Sequence, residues 1–415
     1  MDFIILILEM SFYDNTKIEK GFIIIIPILV LIYFYVQIIF SSGKLSPDSL
    51  QYLRQADDFW NYKINFPLGY PLIIKLFTFF SGSSFWASKV VNIFCYLGVL
   101  LFSYKKKFYF KETILLFSFY PLIQFYAFTW SESLFFFLLY LFIFLVNRII
   151  IKGLTSSKMV FVAILIFAIT SVRFSSVFIT LPTMMTVLLN KNIYWQKRAK
   201  FSLISIFAVA TYLLINYLYS GYLMGKREHL LIEPQNIIVF SKKVSLSFLR
   251  DFSFLNAFDH KFISSLPLGT HYFTTILFLL ALLIFCIRKF PMEKWVNYLL
   301  ITAGFSFIGI CLSYYKIGID DSIRIKSAVY FFLLFAFLII SSKAFKLIAA
   351  YIVTIVLLCN IATYLYYSQS SLEQFALIKE QFNSSQKSPQ TSLQNPPPSA
   401  QSRFSHKNPE KQNCH

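Results

Sequence analysis

Long apolar runs separated by short polar segments make up most of the chain. A helix needs about 20 apolar residues to cross a bilayer, and residues 21–40 supply them, with Lys17 and Lys20 just ahead. Further runs fall at 85–104, 113–128, 133–146, 160–175, 176–189, 201–219, 272–287, 296–314, 327–340 and 345–366, which gives about eleven spans. The pattern therefore predicts an all-α polytopic membrane protein. Residues 71–80 are apolar but too few to cross, so the first loop, 41–84, is expected to carry interfacial helices.

The cations of the short loops fix the expected orientation. Lys105 to Lys107, then Arg148, Lys152 and Lys158, then Lys191, Lys197, Arg198 and Lys200, then Arg288, Lys289 and Lys294, and finally Lys343 and Lys346 all fall on one side of the alternation. Lys and Arg concentrate in cytoplasmic loops, so that side is read as the inner one. The outer side then receives the first loop, the turn at Trp130-Ser131-Glu132, Arg173, a long loop at 221–270 and the segment 316–324. The transmembrane domain is expected to occupy 1–367, and residues 368–415, polar and holding three consecutive prolines, read as a disordered tail. The first ten residues have an acidic second position and no small-residue cleavage site, so a cleaved leader is not expected.

Composition supports the membrane reading and narrows the chemistry. Charged residues make up 14% of the 415 residues, against about 25% in soluble domains. The formal charge of +19 is scattered through loops and forms no basic face, so nucleic acid is not an expected partner, whereas anionic lipid headgroups are. Four of the five cysteines lie in apolar runs, and His229, His260 and His271 lack ligand spacing, so neither a disulfide framework nor a histidine metal site is implied. No phosphate-cradling glycine loop occurs.

The chemistry-bearing residues stand near the predicted outer face. The segment 44–71 carries Asp48, Asp57 and Asp58 ahead of Pro67-Leu68-Gly69-Tyr70-Pro71. A carboxylate at a membrane surface can take a proton from a hydroxyl. Ser46 or Asp48 could instead cap a surface helix, and Asp57 and Asp58 read as its solvated face. Glu132 sits between two apolar runs with almost no loop, where a carboxylate is costly unless it has a partner or a task; a first-turn position favoured by the helix dipole is the simpler explanation. Arg173 is a cation deep in apolar sequence, suited by its planar fork to a phosphate or to a structural pair with Glu132. Lys226, Arg227, Lys242, Lys243, Arg324 and Lys326 lie on or near outer loops and could face an anionic headgroup.

Together, Asp48 after the first span, the Pro67-Leu68-Gly69-Tyr70-Pro71 turn, Trp130-Ser131-Glu132-Ser133-Leu134-Phe135 and Arg173 resemble the GT-C superfamily of integral-membrane glycosyltransferases. This family includes protein mannosyltransferases and bacterial enzymes that decorate lipid A. The resemblance covers roughly residues 21–182; the chain departs from the family in having Pro-Asp-Ser where an Asp-Glu pair is usual, and no large soluble domain. It implies a polyprenyl-phosphate sugar as donor and a hydroxyl of an envelope glycan, lipid or protein as acceptor. Asp48 and Glu132 become the catalytic carboxylates, Arg173 the neighbour of the donor phosphate, and Asp57, Asp58, Tyr70 and Arg324 further substrate-binding residues. A divalent cation is compatible with the family, and the implied location is the bacterial inner membrane with the site facing the periplasm or exterior. The competing classes are an envelope glycan polymerase or ligase, which would depend more on outer-loop arginines, and a lipid-linked glycan flippase or transporter, which would place its polar groups near mid-membrane.

Overall fold

In the computed structural model the described residues are 15–40, 43, 45–61, 66–224, 236–253, 267–288, 293–317 and 323–366. The expected tail at 368–415, Lys226, Arg227, His229, His260 and parts of the 221–270 and 316–324 segments lie outside them. Every regular element among the described residues is helical. In chain order these are α1 (Asn15–Phe40), α2 (Pro47–Asp57), α3 (Gly69–Ser81), α4 (Ser84–Lys106), α5 (Phe110–Ser118), α6 (Tyr120–Ala127), α7 (Glu132–Lys152) and α8 (Ser156–Val172). A 3₁₀ turn, Phe174–Ser176, leads to α9 (Val177–Leu189), α10 (Trp195–Ser220), α11 (Ile237–Asp251), α12 (Leu268–Arg288), α13 (Lys294–Ile317), α14 (Ile323–Ile340) and α15 (Lys343–Tyr366).

Seven of these helices are long and apolar enough to cross a bilayer: α1, α4, α7, α10, α12, α13 and α15. Large apolar side chains such as Phe79, Phe80, Ile151, Phe207 and Leu218 are exposed on the outside. So much apolar exterior suits lipid and not water, and the chain is a polytopic membrane protein.

The expected run at 113–128 is not one helix. It divides at Phe119, whose φ of −73° and ψ of 136° are extended, because Pro121 in the first turn of α6 lacks the N–H that a continuous helix would use. The runs at 160–175 and 176–189 form α8 and α9, of 17 and 13 residues, meeting at Arg173. At 1.5 Å per residue they reach only about 25 and 20 Å, short of the roughly 30 Å hydrocarbon core.

Polar contacts mark the two ends of the bundle. At one end Lys111 pairs with Glu19 and Lys346 with Glu112, joining the starts of α1, α5 and α15. At the other end α14 begins with Arg324 and Lys326, which reach in different directions. Arg324 meets α2 and α7, and Lys326 donates to Asp251 of α11 at 2.6 Å and to Ser247 at 2.8 Å. The start of α2 and the C-terminal end of α11, within the 221–270 segment, therefore share one end.

Candidate functional site

The site forms where the first turns of α2, α7 and α14 meet the last residues of α8. Ser46 caps α2, its hydroxyl accepting from the Ser49 amide at 3.2 Å. Of the two possible caps it is Ser46 that is used, which leaves the Asp48 carboxylate, in the first helical turn, turned toward Arg324.

Residues 127–131 are held from below by α4. Asn92 donates to the carbonyls of Tyr126 at 2.9 Å and Phe128 at 2.6 Å, and its own oxygen accepts from Tyr70 at 3.1 Å and from Ser133. Ser88 pairs with Thr129 at 2.8 Å, and Lys89 donates to the Ala127 carbonyl at 2.7 Å. These polar residues of an otherwise apolar helix fix the turn that starts α7. Asn92, Ser88 and Lys89 carry no role in the sequence reading, although polar residues inside an apolar run are the signal that finds them.

Glu132 is the first residue of α7 and its side chain is 0% exposed. One carboxylate oxygen, Oε1, accepts from Arg173 Nη1 at 3.2 Å and from Arg324 Nε. The other, Oε2, has no donor among the described residues. Arg173, the residue capping α8, also donates to the Arg324 carbonyl at 3.3 Å and the Ser327 hydroxyl at 3.3 Å, and its guanidinium lies 5.3 Å from the Phe135 ring centre. Arg324 Nη1 closes the chain by donating to Asp48 Oδ2. Its guanidinium lies 4.8 Å from the Trp130 ring centre, and the indole N–H donates to Ser46 at 2.7 Å. The resulting order is Asp48, Arg324, Glu132, Arg173.

Helix fields explain three of the four charges. An acid is favoured in a first helical turn and a cation at a helix C-terminus, as with Asp48, Glu132 and Arg173. Arg324 is the exception, a cation in the first turn of α14, where the field opposes it. The carboxylates of Asp48 and Glu132 offset that penalty. This end of α14 thus attracts anions twice over, through its own amide groups and through the guanidinium.

Tyr52 lies on the same face of α2 and donates to the Ser131 hydroxyl at 3.2 Å. Burial pushes its phenol above the usual range and the nearby Arg324 charge pulls it partly back, so it stays a protonated donor at neutral pH. Tyr70 is buried, its ring perpendicular to that of Tyr52 with the centres 5.3 Å apart, and its hydroxyl donates to Asn92, which also accepts from Ser133. Asp57 and Asp58 stand apart at the far end of α2, about 14 Å along its axis from Asp48 at 1.5 Å per residue. Asp58 accepts from Asn61 at 2.8 Å, and burial pushes the Asp57 carboxyl above its usual range while Ser84 and the Lys75 charge pull it partly back.

The donor set does not suit a divalent cation. Among the described residues no group of three or more His, Cys, Asp or Glu gathers to hold a metal. The two carboxylates that do converge share Arg324, with Arg173 alongside. Hard dications take several oxygen ligands, whereas guanidiniums fill the space between these oxygens.

Close approach of α3 to α8 sets the position of Arg173. A Cβ on Gly69 would lie 2.7 Å from the Ser171 carbonyl oxygen and 2.5 Å from its hydroxyl. Gly69→Ala should therefore push the end of α8 outward and lower stability by about 1–3 kcal/mol, as overpacking does. A thermal-unfolding midpoint equal to that of the unaltered protein would show that the contact is not tight. Comparison with known proteins gives no family: no protein-family model, curated protein or solved structure matches this chain.

Proposed function

We propose that this chain is a membrane glycosyltransferase of the GT-C kind, moving a sugar from a polyprenyl-phosphate donor to a hydroxyl of an envelope glycan, lipid or protein at the outer face of the plasma membrane. The observation that carries the reading is the charge chain Asp48, Arg324, Glu132 and Arg173 at one end of an apolar helical bundle. It combines a carboxylate reachable from outside with guanidiniums suited to phosphate, where an amphiphilic donor would present its headgroup.

In this reading the bond from the anomeric carbon to the lipid phosphate oxygen breaks as the acceptor oxygen bonds to the same carbon. The acceptor proton passes to a carboxylate, and the departing phosphate keeps the electron pair beside a guanidinium. Asp48, 31% exposed, takes the part of base. Glu132, wholly enclosed and engaged by both arginines, is a positioning residue instead of a second base. A single displacement inverts the anomeric centre, by analogy with inverting glycosidases. The anomeric configuration of the product, compared by NMR with that of the donor, checks this, and the same configuration in both would overturn it.

A polymerase or ligase is the second reading, favoured by the convergence of two guanidiniums. The transferase reading expects purified protein to release polyprenyl phosphate from a labelled polyprenyl-phosphate sugar when a hydroxyl acceptor is present. It also expects cysteines introduced in 45–61 and 236–253 to be labelled from outside the cell. No turnover with any such donor, together with unchanged envelope glycans and lipids in a deletion strain, would sink it.

A further inference from the structure

Arg324 pairs with an enclosed carboxylate on one side and a part-exposed one on the other. Its Nε is held by Glu132, which is 0% exposed and also bound to Arg173. Its Nη1 is held by Asp48, 31% exposed, on a surface helix of only 11 residues. Nη2, between them in the guanidinium plane, makes no hydrogen bond to a described residue. Movement of Asp48 would bare the Nη1–Nη2 edge, the geometry that takes two phosphate oxygens in parallel. The Trp130 ring would still support the guanidinium face.

Charge selects what could replace Asp48. With Asp48 withdrawn, Arg173 and Arg324 against Glu132 leave a net single positive charge. It lies at the start of α14, where the helix field adds to the attraction for an anion. A singly charged phosphodiester restores the balance that Asp48 supplied, whereas a diphosphate overshoots it.

We infer that Arg324 is the anchor for a lipid phosphodiester, and that Asp48 occupies this anchor until the lipid arrives. The inference rests on the transferase reading in one respect, that the Asp48 carboxylate so released is the base. While Arg324 donates to it, its Oδ2 is engaged and is not offered to an acceptor hydroxyl. Donor binding and delivery of the base then become one exchange of anions, with no covalent bond made or broken. Arg173, tied to Glu132, Ser327 and the Arg324 carbonyl, stays behind as the support.

The test measures binding and not turnover, so it stands or falls apart from the transferase reading. The full-length protein in dodecyl maltoside is titrated with dodecyl methyl phosphate, dodecyl diphosphate and inorganic phosphate. The readout is the fluorescence of Trp130, identified by its loss in Trp130→Phe. Asp48→Asn, which removes the internal competitor, should bind dodecyl methyl phosphate about tenfold or more tighter. Glu19→Gln, a carboxylate at the opposite end of the bundle that pairs with Lys111, should leave affinity unchanged. Arg324→Gln should lose at least tenfold, with Arg324→Lys, which keeps the charge without the fork, in its place if the first variant fails to fold. Equal or weaker binding by Asp48→Asn overturns the exchange, and so does equal tightening by Glu19→Gln. Inorganic phosphate binding as tightly as the lipid would overturn the lipid source, and tighter binding of the diphosphate would overturn the single-charge match.

Discussion

Glu132→Ala is expected to lower the stability of the folded protein by about 3–5 kcal/mol, the scale for removing one partner of a buried ion pair. The change deletes the carboxylate shared by Arg173 and Arg324. Arg324 keeps Asp48, but Arg173 is left with only the Ser327 hydroxyl and a carbonyl as acceptors. Glu132→Gln should recover little, because a neutral amide accepts weakly from a guanidinium. A double change to Glu132→Met and Arg173→Met should recover part of the loss, since two apolar side chains of similar volume leave no buried charge unpaired. Thermal unfolding of the purified variants in detergent reads the effect. A loss below about 1 kcal/mol for Glu132→Ala would place this network with exposed pairs, which contribute little.

Asp48→Asn is expected to fold normally and to lose at least about a hundredfold in the rate of sugar transfer, the usual range for a missing general base. Ser46, and not Asp48, caps α2, so the start of that helix survives the substitution. Asparagine keeps the size of the side chain and removes its negative charge and basicity. Rates are compared on folded protein with a polyprenyl-phosphate sugar at saturating concentration, so that a change in donor affinity does not mask the chemical step. Near-normal transfer by that variant would remove Asp48 from the reaction.

Much of this site was legible in the sequence because charge beside hydrocarbon is rare. Asp48, Glu132 and Arg173 stood out against apolar neighbours, and the alternation of short-loop cations put them on one face before any contact was known. Their actual pairing was not legible. Arg324 lies 192 residues from Glu132 and 276 from Asp48, and nothing local to it distinguishes it from Lys326, which turns to α11 instead. Asp57 and Asp58 share the segment of Asp48 but not its end, since between two and three turns of one helix lie between them. The division of 113–128 into two helices had a visible cause in Pro121, yet apolar content alone gives no weight to a missing amide. The hydrogen bonds of Asn92 are also tertiary, reaching backbone carbonyls 34 and 36 residues away.

The first turn of α14 carries Arg324 and Lys326 two positions apart, and successive helical residues are about 100° apart around the axis. The two side chains therefore leave the helix on nearly opposite sides, one gripped by Asp48 and Glu132 and the other by Asp251. Such a turn is tethered on both sides. The Lys326–Asp251 pair thus helps fix the rotation of α14 at which the Arg324 guanidinium meets Asp48 and Glu132.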